Sequence, residues 1–134
     1  MIDHLNAIVL AVEDVKECAE FYRDKLGFHL DEIHEEEAYL TFGPQGTPVL
    51  ALKSVPLAAK EVSQSVIRPG EESVKRAQLV VFVKDVDSEH DDLVRKGVRF
   101  VNKPSTKEDG WRTAHFVDPE GYLWEISQRP KRTG

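Results

Sequence analysis

Apolar positions along the chain fall in short runs separated by charged turns, and the same order of runs occurs twice. The segments AIVLAV (7–12) and QLVVFV (78–83) carry apolar side chains on both alternating faces. Such blurred alternation predicts strands covered by helices on one side and facing a cavity on the other. Each run is followed by an aspartate, Asp14 or Asp85, whose short carboxylate suits a helix N-cap. Val15, Cys18, Ala19, Tyr22 and Leu26 then follow the i, i+3, i+4, i+7 spacing of a buried helical face. Gly27 and Gly97 supply the left-handed conformation that ends each helix. Further strands are expected around His29–Ile33 and Val98–Asn102. Gly-Pro-Gln-Gly (43–46) and Asp-Pro-Glu-Gly (118–121) mark the turns of two closing hairpins.

Superposing AIVLAVEDVKECAEFYRDKLGFHL on QLVVFVKDVDSEHDDLVRKGVRFV places Val12, Asp14 and Val15 on Val83, Asp85 and Val86. Likewise AYLTFGPQGTPVLAL matches RTAHFVDPEGYLWEI, with Phe42 on Phe116 and Ala51 on Glu125. The predicted class is α+β: two tandem βαβββ modules whose curved mixed sheet surrounds a cavity, with the helices outside. One domain is expected over residues 1–134. The first module covers about 1–53, a connector about 54–76, the second module about 77–128, and a short basic tail follows.

Composition narrows the functional classes. At 134 residues the chain can bury a sizeable core without a disulfide or metal. The net charge of −6 has the wrong sign for a phosphate-tracking surface, and the basic pairs Lys75-Arg76 and Arg95-Lys96 are short and scattered, so no nucleic-acid partner is expected. The longest purely apolar run, Ala7–Val12, is far too short to span a bilayer, so no membrane partner is expected either. The opening MIDH lacks the basic region and apolar core of a secretory signal, and the single Cys18 cannot form an internal disulfide, which together point to a cytoplasmic protein.

The duplication, with AVEDVKECAEFYRDKLGF in the first half and FVDPEGYLWEI closing the second, resembles the vicinal oxygen chelate superfamily. That group includes glyoxalase I, extradiol dioxygenases, fosfomycin-resistance thiol transferases and bleomycin-resistance proteins. The resemblance implies a homodimer and, in the metal enzymes, a ligand set drawn from four strands. At those four positions this chain has Ala7, Ala51, Gln78 and Glu125. Two of the four have lost every donor atom, whereas a catalytic zinc or non-heme iron site needs about three protein ligands. No metal or other cofactor is therefore expected. A divalent metal on the residual candidates Gln78 and Glu125, with His115 rescuing the set, is the alternative.

Strand parity sends Leu5, Ala7, Val9, Tyr39, Thr41, Val49, Ala51, Val80, Phe82, Thr113, His115 and Leu123 to the same side as Gln78 and Glu125. A mostly apolar lining with few polar handles is the composition of a small-molecule pocket. The candidate pocket residues are Gln78, His115, Glu125, Tyr39 and Phe82, with Trp111 and Arg112 at its mouth. Glu125 is the candidate catalytic base or ligand anchor, alongside the reading that it is an ordinary strand residue. Ser88, His90 and Asp91 supply triad residue types, but neighbouring helical positions point in different directions.

The leading expectation is a metal-independent protein of bleomycin-resistance type that binds a small molecule, with a cationic antibiotic-like ligand as one candidate. The alternative is a divergent metal-dependent lyase, isomerase or dioxygenase using Glu125. A non-catalytic interaction subunit is a third class.

Overall fold

Asp14 and Asp85 both cap the helix that follows the first strand of their half. Asp14 Oδ1 accepts from Glu17 N–H at 2.9 Å, and Asp85 Oδ1 accepts from Ser88 N–H at 3.2 Å. The computed structural model describes residues 1–67 and 77–131. The chain forms two compact units, Met1–Glu71 and Glu72–Gly134.

In the first unit, β1 (Ala7–Val12) leads to α1 (Val15–Glu20), which runs on into a π-helical turn, Phe21–Lys25. Strands β2 (His29–Ile33), β3 (Glu37–Thr41) and β4 (Val49–Ser54) follow, then α2 (Val55–Glu61). The sheet order is β1-β4-β3-β2, with β1 parallel to β4 and the remaining pairs antiparallel. One face of this sheet carries Leu10, Val12, Ala38, Leu40, Leu50 and Leu52, all buried together with Val15, Cys18, Ala19 and Tyr22 of the helical segment. Each fully buried Leu contributes roughly 1.5–3 kcal/mol of apolar burial, so this face dominates the unit's stability. Tyr22 stacks on Phe28, and Phe28 on Phe42 at 4.3 Å between centroids. The intervening Gly27 has φ +77°, the left-handed value that lets the chain leave the helix.

The second unit repeats the plan with β5 (Leu79–Phe82), α3 (Val86–Arg95), β6 (Arg99–Phe100), β7 (Ser105–Thr106), β8 (Arg112–Val117) and β9 (Leu123–Gln128). Its sheet order is β5-β9-β8-β6, β7 also pairing with β8, and β5 lies parallel to β9. Ala114, Phe116, Trp124 and Ile126 bury one face, with Val86 and Leu93 of α3 also in the core. Gln128 Oε1 accepts the first-turn N–H of Val86 at 2.8 Å, tying the end of β9 to the start of α3. The Asp-Pro-Glu-Gly turn is held by buried Asp118, whose Oδ1 accepts from both Glu120 N–H (2.8 Å) and Tyr122 N–H (2.9 Å).

Three details differ from the sequence pattern. The stretch read as connector opens with α2, capped by Ser54 Oγ on Leu57 N–H at 3.1 Å. The strand expected over Val98–Asn102 is reduced to Arg99–Phe100, because Lys103-Pro104 turns the chain and Pro104 has no N–H to continue the ladder. The chain rejoins β8 as β7, which the pattern did not indicate. Lys75-Arg76 and the final residues of the basic tail lie outside the described residues. Among the described residues, no helix is long and apolar enough to cross a membrane.

Candidate functional site

Alternation along β5, β8 and β9 places Val80, Phe82, Thr113, His115, Val117, Leu123, Glu125 and Ser127 on the face opposite the Phe116–Trp124 core. Register sets Glu125 directly between Val80 on one side and His115 on the other. Glu125 is 8% exposed, whereas the flanking Val80 and Phe82 are 46% and 59% exposed. A buried carboxylate therefore sits on a strand face that is apolar and accessible on its β5 side, at Val80 and Phe82, and polar and buried at Thr113 and Ser127.

His115 supplies the partner such a carboxylate needs. Its Nε2 lies 2.9 Å from Glu125 Oε1. The other ring nitrogen, Nδ1, lies 3.0 Å from Asn102 Nδ2, and the backbone N–H of His115 donates to Asn102 Oδ1 at 2.8 Å. Glu125 Oε2 has no hydrogen-bond partner among the described residues. No fully occluded side-chain polar atom is left unpaired there, so Oε2 reaches solvent. The carboxylate is thus held at one oxygen and offered at the other.

An aromatic edge borders this face. The Phe82 ring lies 5.3 Å from Trp111, and the Arg129 guanidinium sits 5.1 Å from the Phe82 centroid. Cation–π contact and ring packing of this kind form a platform for flat groups.

The other sequence-derived candidates are placed differently. Arg112 lies on the opposite strand parity and is held by Asp87 through Nε (2.7 Å) and Nη2 (2.8 Å), with Nη1 on Thr106 Oγ1 (3.0 Å). The hydrogen bond from Arg112 holds the Asp87 carboxyl below its ordinary range, and the same bond raises the guanidinium pKa. Three of its five N–H donors are committed to these structural contacts. Gln78 is exposed at the residue before β5. Tyr39 belongs to the first unit, where its hydroxyl donates to Glu37 Oε2 at 3.1 Å, and that bond raises the phenol above its ordinary pKa. Lys53, beside it, is paired with Glu61 at 2.7 Å. His90 packs edge-on against Phe100 at 4.5 Å and lies 3.1 Å from Asp91. Asn102 and Arg129 escaped the sequence reading. A polar residue just before the Lys-Pro turn was the available signal for Asn102, and none local to the chain pointed to Arg129.

The model of the glyoxalase/bleomycin resistance protein/dioxygenase superfamily matches residues 2–126. The chain belongs to this superfamily. Relatives of the superfamily member include the uncharacterized protein YraH of Bacillus subtilis (strain 168), 38% identical over 91% of this chain and 95% of that one. A glyoxalase/bleomycin resistance protein/dioxygenase from Nocardioides shares the fold with a TM-score of 0.81 at 23% identity, covering 100% of this chain and 91% of that one. A glyoxalase-related enzyme from Fulvimarina pelagi gives 0.78 at 23% identity, over 96% of this chain and 89% of that one.

The donor set of this superfamily member does not fit a tight divalent site. Ala7 and Ala51 stand in register with Val49 and Val9 on β4 and β1, and neither offers a donor side chain. Among the described residues, no group of three His, Cys, Asp or Glu side chains is arranged to hold a metal ion. Glu125 Oε1 already faces His115 Nε2 at 2.9 Å.

Proposed function

We propose that this superfamily member is a metal-independent small-molecule binding protein whose second unit anchors a ligand on Glu125. The observation that carries the reading is the half-satisfied carboxylate: Oε1 is held by His115 at 2.9 Å and Oε2 has no hydrogen-bond partner among the described residues, in a residue only 8% exposed. An ionised acceptor of this kind makes charge-assisted hydrogen bonds about twice as strong as neutral ones. It favours ligands bearing an ammonium, amidinium or hydroxyl group. Val80, Phe82 and Trp111 supply apolar and ring surface for the body of such a ligand, at roughly 25 cal/mol per Å² removed from water. A flat ligand carrying an N–H donor therefore suits both halves of the surface. We propose a homodimer as the working assembly, testable by light scattering.

Titration of the ¹⁵N-labelled protein with benzamidine and with benzoate tests the anchor. Benzamidine should shift amides of β5, β8 and β9, and Glu125→Gln should weaken it about tenfold, the equivalent of 1.4 kcal/mol. Equal responses to both compounds, or none in either, would overturn the reading. The competing enzyme reading requires stoichiometric metal that disappears in Glu125→Ala.

A further inference from the structure

The ladder between β6 and β8 ends at Phe100↔Phe116, yet one more backbone bond forms, from Val101 N–H to His115 C=O at 2.8 Å. Its return bond is made by a side chain: His115 N–H donates to Asn102 Oδ1 at 2.8 Å. A backbone N–H can only donate, so this contact fixes which amide atom is oxygen. Asn102 Nδ2 then faces His115 Nδ1 at 3.0 Å. An amide nitrogen likewise only donates, so Nδ1 must present a lone pair. The neutral ring consequently carries its proton on Nε2 and donates it to Glu125 Oε1 at 2.9 Å.

We propose that Asn102 is a positioning residue that locks His115 as its Nε2–H tautomer, keeping Glu125 a pure acceptor so that the site selects ligands with N–H or O–H donors and rejects carboxylates. The selectivity rests on the reading of Glu125 as the ligand anchor; the tautomer does not. In the opposite tautomer, the Nε2 lone pair would face the Glu125 carboxylate. Relief would require a proton on Glu125, which would turn the anchor into a donor. A proton added at Nδ1 would set one N–H against the N–H of Asn102.

Long-range ¹H–¹⁵N spectra of the imidazoles at pH 7 read the tautomer directly, with His115 assigned by the signals lost in His115→Gln. The wild-type ring should show an unprotonated Nδ1 and a protonated Nε2. Asn102→Asp keeps the oxygen for the backbone N–H but exchanges the facing donor for an acceptor, so its ring should show both nitrogens protonated. Asn102→Ala should bind benzamidine about fivefold more weakly, the loss of one orienting hydrogen bond. A purely structural Asn102 would leave the ring signals of the Asn102→Asp protein like those of the wild type, and that result overturns the proposal. A locked tautomer without a benzamidine response sinks the selectivity and the anchor while leaving the positioning role. An averaged wild-type tautomer with intact benzamidine binding sinks the lock and leaves the anchor.

Discussion

Replacing His115 and Glu125 singly and together separates a pair kept for binding from one kept for stability. Their side chains are 20% and 10% exposed and share a single 2.9 Å contact, which lies between two limits. Exposed pairs contribute about 0–1 kcal/mol, and breaking a buried pair costs about 3–5 kcal/mol. His115→Leu should therefore cost about 2 kcal/mol, since it strands a nearly buried carboxylate and removes the Asn102 contact to the ring as well. Glu125→Leu should cost about 1 kcal/mol or less, because the remaining imidazole is partly exposed and keeps its contact with Asn102. The double leucine variant should fall within about 1 kcal/mol of wild type, as apolar replacements of buried pairs often do. The resulting coupling is about 1–3 kcal/mol. Urea unfolding followed by tryptophan fluorescence is the suitable assay, because the chain's two tryptophans, Trp111 and Trp124, both lie in the second unit. Single costs that simply add in the double variant, at unchanged denaturant slope, would refute the reasoning.

The Asp87–Arg112 pair carries a pH signature. Because Arg112 lowers the Asp87 pKa, its contribution is present above the ordinary aspartate value of about 3.9 and fades as pH falls through the depressed folded value. The melting-temperature gap between wild type and Arg112→Gln should accordingly be steady at pH 5–7 and close in more acidic buffer; a gap that widens on acidification would contradict the pairing. Ser54→Ala should cost about 1 kcal/mol and accelerate amide exchange in α2, as loss of an N-cap does. At Gly110, φ is +91° and an added Cβ would meet Pro130 Cβ at 3.0 Å, so Gly110→Ala should lower stability by more than about 1 kcal/mol in thermal melts. Exhaustive chelation should leave both the melting temperature and the benzamidine response unchanged, and loss of either would bring a metal back into the account.

The fold was legible because its signals are local and occur twice. Asp14 and Asp85 cap, Gly27 and Gly97 terminate, and alternation around Phe116 and Trp124 assigns the faces of β8 and β9. The same alternation put Glu125 and His115 side by side. What escaped depended on position or on distant partners. Ser54 and Pro56 are a cap and a first-turn proline, but weighed as composition they read as connector. Arg112 looks like a free cation until α3 brings Asp87 against it. Asn102 acts through a ladder bond that only the three-dimensional pairing of Val101 with His115 creates.

In both units the first strand pairs in parallel with the last, Ala7 opposite Val49 and Leu79 opposite Trp124. Each opening strand must therefore wait for its partner while the intervening helix and antiparallel strands form. Loop closure over such a span is entropically costly and slows folding relative to neighbour-to-neighbour pairing. During synthesis the first unit can complete itself once β4 has emerged, whereas β5 stays an unpaired apolar edge until β9 is made. That interval is when the second unit is most exposed to aggregation. Substitutions in LWEISQ should therefore depress the yield of native protein more than equally destabilising ones in VLALKS.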